Sequence, residues 1–340
     1  MICHLTTVHA RNDVRIYLKE CMGLARLGFG PIKLIVADGL GSKDDGRVAV
    51  VDIGKARFGR LGRVFLGSWG VWRAVRRIRP DAVHLHDPEL LMVGILLRQS
   101  GLVVIYDMHE CLPKQVLTKE WLHRSVRRSV SLLVGSIERA MLRNMPVVFA
   151  ESSYMLDYPW IHNFEVVRNL PDLKSLSEVN TSEIVGFTIG YMGGVTVQRG
   201  VLVALKAMHE LRGRGLKVEF ECVGPVSEEV FRSDLFQRAK AEGWARFPGR
   251  LPPRRGWELM AGCVCGLAIL APSPNYVDSL PTKIFEYMAL SRPVIASDFP
   301  LYRSVVLGAE CGLVVDPLSV DAVAKAISWI AEHKEEASLM

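Results

Sequence analysis

Asp278 and Glu286 stand on either side of Lys283 in the run DSLPTKIFEYMAL. The apolar segment CGLAILA leads into PSPNYVDSL, Pro281 favours the first turn of a helix over TKIFEYMAL, and the strand-like PVIAS follows. Such a helix is expected to bury Ile284, Phe285, Met288 and Ala289, leaving Lys283 and Glu286 on another face. Two readings are open. The charges form an i,i+3 surface ion pair worth roughly 0.2–0.5 kcal/mol, or they do chemistry because they lie in the first turns of a helix that starts at a strand's carboxyl end. In the second case Glu286 accepts both hydroxyls of a ribose, as the acid of dinucleotide-binding folds does, and Lys283 neutralises phosphate.

A second constellation closes the strand-like FTIGYM. Gly193 and Gly194 let the backbone approach a ligand, and Arg199 opens the next helix, where free N–H groups and a guanidinium fork suit phosphate oxygens. The competing reading is a tight strand-to-helix turn with a solvated arginine. In the first half, His109 ends VVIYDMHE, where an imidazole can hydrogen-bond a sugar hydroxyl or cap the next segment. His84 and His86 alternate on one strand; without a spaced third ligand they read as structural or acceptor-side, not as metal ligands. The loop VHARND places His9, Arg11, Asn12 and Asp13 after the first strand, where Asn12 or Asp13 can also cap the helix.

The elements that must position these residues are legible in the pattern. ICHLTTV, IKLIVAD, VAVVDI, AVHLHD, VVIYDMH and VVFAES are short, β-branched and suited to buried parallel strands. Between the first two, Val14, Ile16, Leu18, Cys21, Met22 and Leu24 or Ala25 recur at helical spacing up to Gly28. A longer helical pattern covers roughly 120–144. The pattern breaks near VVRNLPDLKSLSEVNTSE and then restarts with FTIGYM, KVEFECVG, ARFPG, CGLAILA, PVIAS and GLVVD, each followed by a helical or turn segment. With 340 residues, more than one core usually organises, two α/β units in series are expected. Ligands then belong at the carboxyl ends of the strands, in a cleft where the units face each other.

Composition narrows the class. The 49% hydrophobic and 23% charged content is that of a globular protein. Seven scattered cysteines, an odd number within apolar runs, read as reduced core residues, and Cys263 and Cys265 do not make a CxxC pair. No GxGxxG follows a strand, which disfavours a nicotinamide-dependent oxidoreductase.

The run SLPTKIFEYMALSRPVIAS resembles the donor-site signature of glycosyltransferase family 4, retaining enzymes of the GT-B fold. MGGVTVQRG resembles that family's phosphate loop, and HLTTVHARNDVRIYLKECMGLARLG, HDPELLMVGILL, VIYDMHE and VVRNLPD resemble members of bacterial surface-polysaccharide synthesis. The resemblance implies two Rossmann-like doubly wound domains facing across a cleft: an acceptor-side domain at 1–168, a linker at 169–185, a nucleotide-sugar-binding domain at 186–318, and a C-terminal helix at 319–340 packing back toward the first domain. It implies a hexosyl transfer from a nucleotide diphosphate sugar to a saccharide acceptor, lipid-linked, in polysaccharide or lipopolysaccharide synthesis. Glu286 matches the second acid of the family's E-x7-E motif and the ribose. The first acid, which contacts the transferred sugar, falls on Asp278, one methylene shorter. The main-chain amides of Ser279 and Leu280 lie near sugar and diphosphate, Arg250 and Leu251 are counted with the donor-binding residues, and His109 faces the sugar. His9, Arg11, Asn12 and Asp13 lie on the acceptor side. Many members carry an arginine directly after the first glycine of the phosphate loop; here that position is Gly194, so Lys283 is expected to join Arg199 in supplying charge. No metal or other cofactor is expected, because no DxD-type acid cluster is present. An epimerase or hydrolase of the same fold and a non-catalytic partner of a membrane complex are the alternatives.

The net charge of +6 is uneven: residues 1–165 carry 23 Lys/Arg against 16 Asp/Glu, and residues 166–340 carry 19 against 20. The excess concentrates at 55–79, where basic residues interleave with Phe58, Phe65, Trp69 and Trp72 and no acid occurs. That pattern suits an anionic membrane surface more than nucleic acid, for which no recognised module is present, and competes with an ordinary solvated basic face. MICHLTTVHARND lacks a basic start with a long apolar segment, and no run reaches the ~18–20 residues of a membrane span. A cytoplasmic protein, peripheral at the inner face of the membrane, is expected.

Overall fold

The β-branched runs form two sheets. The computed structural model describes residues 1–55, 62–117, 119, 122–179, 184 and 186–340, with Arg63 by its backbone alone. The chain divides into two units, Met1–Asn169 and Leu170–Met340.

In the first unit the strands are β1 (Ile2–Leu5), β2 (Ile32–Val36), β3 (Lys43–Asp44), β4 (Val48–Asp52), β5 (Ala82–Leu85), β6 (Val103–Met108), β7 (Val147–Phe149) and β8 (Phe164–Val166). They lie in the order β3-β4-β2-β1-β5-β6-β7-β8, all pairings parallel except the β3 edge. The order reverses between β1 and β5, the kind of switch point at which open α/β sheets bind ligands. Alternation sends Cys3, Leu5, Val83 and Leu85 into one apolar layer, so His4, His84 and His86 fall on the opposite face. That face is covered by the first helix, whose Ile16 and Cys21 pack on Ile32, Leu34 and Val36.

The first helix departs from the regular spacing read in the sequence. Asp13 caps it by accepting from Arg15 N and Ile16 N, and the segment Val14–Cys21 then winds with a π-type turn before Met22–Arg26 continues as α-helix. Leu18 N donates to Asp13 O, five residues back. The wider turn rotates Leu18 into solvent and brings Arg15 and Glu20, five apart, over the sheet. Leu18 therefore leaves the expected apolar stripe.

The second unit contains β9 (Phe187–Met192), β10 (Val218–Val223), β11 (Ala245–Gly249), β12 (Cys265–Ala268), β13 (Val294–Ser297) and β14 (Gly312–Val315). Their order, β11-β10-β9-β12-β13-β14, places a second switch point between β9 and β12. One face packs on the helices Val201–Gly213 and Val320–Glu332; the other buries Trp257, Ile284 and Tyr287. Val323, Ala324, Ile327 and Ile330 of the 319–340 segment sit in this unit's core. The expected linker contains a short helix, Leu173–Ser177, and Leu176 and Val179 join the second unit's core. Residues 180–183 and 185 of that linker lie outside the described residues.

All seven cysteines are buried and unbridged. No helix among the described residues is long and apolar enough to cross a membrane.

Candidate functional site

The end of β9 is built around a backbone that only glycine adopts. Gly193 has φ +138° and its N–H donates to Val223 O at 2.9 Å. A Cβ added there would lie 3.1 Å from an Arg199 guanidinium nitrogen, 3.4 Å from Lys283 Nζ and 3.5 Å from Tyr191 Oη. The missing side chain thus marks the point where two cations and a phenol converge. Gly194 supplies a carbonyl that accepts from Tyr191 Oη at 2.7 Å. Arg199 ends a single tight turn, Val197–Arg199, and the helix Val201–Gly213 begins two residues later. No side chain caps that helix, so its first turn offers the free N–H groups that suit an anion.

The helix Thr282–Ala289 reverses the expected burial. Lys283 and Glu286 are buried together with Ile284 and Tyr287, while Phe285, Met288 and Ala289 are half-buried. The surface ion pair is therefore excluded. The reason is that Tyr287 and Ile284 take the sheet side, with Tyr287 Oη accepting from Met192 N at 3.0 Å, and the adjoining face is closed by Tyr191. Lys283 Nζ stands 3.8 Å from the Tyr191 ring centroid and has no hydrogen-bond partner among the described residues. Burial, and then the Arg199 charge, hold the ammonium well below the ordinary lysine range. A buried, unsatisfied cation beside a second cation is costly unless an anion joins them.

Asp278 closes the short helix Pro274–Val277, Ser279 Oγ donates to Asn275 O at 2.8 Å, and Leu280 is half-buried against the second unit's core. Arg250 is exposed just beyond β11 and Leu251 packs on Met192's cluster.

In the first unit the acceptor-side candidates are already tied to one another. Arg11 forks onto Asp38 at 2.7 and 2.6 Å, Asp13 is the helix cap, and Asn12 is exposed. His9 lies 3.5 Å from Asp13 and 3.6 Å from Asp87, and its ring meets that of His109 edge-on at 5.2 Å. Asp87, two residues beyond β5, accepts from Thr7 N at 2.5 Å. His109 Nε2 is 2.6 Å from Asp107 Oδ2. Asp107 is fully buried and receives Arg15 bidentately at 2.9 and 2.5 Å, with His86 Nδ1 at 3.1 Å. Burial pushes its carboxyl up, but the bonds to His109, His86 and Arg15 prevail and hold it well below the usual carboxylate range.

Below that network, His84 and His86 gain the companions that the sequence did not reveal. His4 is the register partner of His84 across β1 and β5, and Glu20 reaches down from the widened first helix. His4 Nδ1 lies 2.9 Å from His86 Nε2, and Glu20 Oε2 lies 3.6–3.7 Å from ring nitrogens of all three histidines. Burial keeps the imidazoles neutral, with His84 lowered to about 4 and His86 to about 3. Glu20 is pushed up to about 10, by burial and then by Asp107, against the opposing Arg15.

Two family models match the chain: "Glycosyl transferases group 1" over residues 186–333 and "Glycosyl transferase 4-like domain" over residues 21–159. The chain belongs to the family 4 type of glycosyltransferase, with the GT-B fold. No curated protein sequence matches it significantly. Among solved structures it is similar to sucrose-phosphate synthase from Thermosynechococcus elongatus, with 17% identity, TM-score 0.73, and 99% of this chain and 91% of that one covered. Anabaena HepE in complex with UDP-glucose gives 16% identity and TM-score 0.71 over 99% and 91% of the two chains. WaaG, described as a glycosyltransferase involved in lipopolysaccharide biosynthesis, gives 13% identity and TM-score 0.70 over 100% and 92%. At these identities the likeness establishes the fold.

Within this glycosyltransferase, reading the sequence missed Tyr191, Asp87, Asp107, Arg15, His4 and Glu20. All six lay inside quoted motifs; Asp87 in HDPELL and Asp107 in VIYDMHE each stand at the end of an apolar strand run, the position that could have marked them.

Proposed function

We propose that this glycosyltransferase moves a sugar from a nucleoside diphosphate sugar to a saccharide acceptor, lipid-linked, with retention at the anomeric carbon, in cell-surface polysaccharide or lipopolysaccharide synthesis. One observation carries the reading: Lys283 Nζ, buried and without a hydrogen-bond partner among the described residues, stands beside Arg199 at the Cβ position that Gly193 leaves vacant. Two cations with a phenol and a helix N-terminus make a diphosphate seat. Glu286, buried on the next turn of the Lys283 helix, is the ribose acid. Asp278 and the amides of Ser279 and Leu280 belong to the sugar in this reading, His109 is its hydrogen-bond partner from the first unit, and His9, Arg11, Asn12 and Asp13 serve the acceptor. A diphosphate is a good leaving group, so the work of the site is to stabilise its charge and to orient the acceptor, with a diphosphate oxygen helping to take the acceptor's proton. The donor step needs no metal in this scheme. Anabaena HepE was crystallised with UDP-glucose, in keeping with such a donor.

Membrane association at residues 55–79 belongs to the same proposal. Residues 56–61, including Phe58, lie outside the described residues. Beyond them, Phe65, Leu66 and Trp69 are exposed, and Arg73, Arg76 and Arg77 project from the helix Ser68–Ile78. That helix packs beside Leu91–Gln99, which in turn packs beside Arg124–Leu142. Met92, Leu96, Leu132 and Leu133 are exposed on these neighbours. An apolar, basic surface spread over three adjacent helices is what a peripheral membrane site requires. Vesicles containing anionic lipid should co-sediment the chain at low salt, and absence of binding there would remove this part.

The transfer reading is tested by incubating the chain with a panel of nucleotide sugars and saccharide acceptors. Product with retained configuration, lost in Glu286→Ala, is expected. Donor turnover without any acceptor would point to the epimerase or hydrolase, and no nucleotide binding at all to a non-catalytic member.

A further inference from the structure

The residues at the first unit's switch point take no part in donor or acceptor chemistry as proposed above, yet they gather four polar side chains under the first helix. His4 and His86 are fully or almost fully buried, and His84 lies beside them in β5. One ligand atom from each of His4, Glu20, His84 and His86 lies within 4.8 Å of the others. Hydrogen bonding accounts for them only in part. His4 Nδ1 meets His86 Nε2 at 2.9 Å and Glu20 Oε1 lies 3.1 Å from Arg15 Nε, but Glu20 Oε2, the oxygen nearest all three rings, is buried with no hydrogen-bond partner among the described residues. Orphaned groups of this kind cost roughly 1–3 kcal/mol each.

We propose that His4, Glu20, His84 and His86 form a four-coordinate site for a divalent transition-metal cation of zinc type. The separations fit: tetrahedral ligands at about 2.0–2.1 Å from zinc stand about 3.3 Å apart, and here Glu20 Oε2 lies 3.6–3.7 Å from the three rings while His4 and His86 are 2.9 Å apart. Three imidazoles with one carboxylate select zinc, cobalt or nickel over magnesium or calcium, which prefer all-oxygen ligands. The supporting shell is present as well. His86 turns its other nitrogen, Nδ1, toward Asp107 Oδ2 at 3.1 Å, the carboxylate–histidine arrangement that orients a ligating imidazole. Asp107 itself is committed to Arg15, His109 and His86, so it serves as this second partner and not as a ligand. Arg15 Nε lies 3.1 Å from Glu20 Oε1, and its charge is met by Asp107. Four protein ligands leave no open position, which is the pattern of a structural metal. Such an ion ties the widened first helix to β1 and β5.

The test uses the untagged full-length chain, stripped of metal, loaded with Co2+ and freed of excess ion. Elemental analysis should find one cobalt per chain, and the visible spectrum should carry the strong bands of four-coordinate cobalt, lost when one equivalent of Zn2+ is added. Glu20→Gln and His84→Gln should each weaken Co2+ binding by about 10- to 100-fold or more, whereas His162→Gln, which removes an exposed histidine of the same unit, should leave it unchanged. Substoichiometric cobalt, the weak spectrum of six-coordinate cobalt, or full retention in both ligand variants would overturn the site. If a variant fails to fold by circular dichroism, the stoichiometry and spectrum of the parent chain decide alone.

Discussion

The two switch points of this glycosyltransferase are built alike and charged in opposite senses. Between β9 and β12 the buried groups are an ammonium and a guanidinium, with the ammonium unsatisfied. Between β1 and β5 they are carboxyl groups and neutral imidazoles, some tied to Arg15 and some unsatisfied. The fold decides where polar chemistry collects, and the side chains decide which sign of ligand completes it. In the first unit paired charges hold structure together; in the second a buried ammonium has no hydrogen-bond partner among the described residues, and the proposed diphosphate would supply one.

That contrast can be broken most severely at Asp107. Asp107→Asn removes the carboxylate that Arg15 grips bidentately, and chemical denaturation should show a loss on the order of 3–5 kcal/mol; a neutral result would mean the network carries no stability. The second unit should behave in the opposite way. Lys283→Met should cut kcat/KM by about 10²–10³-fold while raising Tm, because a buried unsatisfied cation disappears. Loss of activity with loss of stability would make Lys283 structural. A smaller effect concerns the surface: Arg76→Ala with Arg77→Ala should lower partitioning onto anionic vesicles by roughly 10- to 30-fold, at about 1 kcal/mol per cation.

The mildest test is one of pH. Glu138 is buried, accepts from Tyr158 Oη at 2.8 Å, and is raised to about 7, chiefly by burial. Because its folded value lies above the ordinary 4.5, its favourable contribution is complete below pH 4.5 and is lost as the pH rises to about 7. Glu138→Gln does not titrate, so its Tm should gain on the parent by roughly 5 °C across that interval and stay level above it.

How much of this was legible depends on whether the signal is local. The strands were, because short β-branched runs have few other uses, and so were the motifs at their ends. The first helix misled: a regular period puts Leu18 inward, whereas the widened turn exposes it and buries Arg15 and Glu20. Lys283 and Glu286 misled for a different reason. A single apolar stripe assumes one covered face, but Tyr191, from a strand almost a hundred residues earlier, covers a second. The partners of His84 and His86 come from the register of β1 and from the far end of a π-type turn, which no spacing within AVHLHD encodes.

The most direct test of the central claim is calorimetric titration of nucleoside diphosphates of several bases into the parent chain and into an Arg199→Ala, Lys283→Ala variant. At least one diphosphate should bind the parent one to one with proton uptake, because the anion restores the depressed lysine's charge, so that affinity falls as pH rises. The variant should lose about 100-fold or more in affinity. Equal binding by parent and variant, or proton release on binding, would contradict the account.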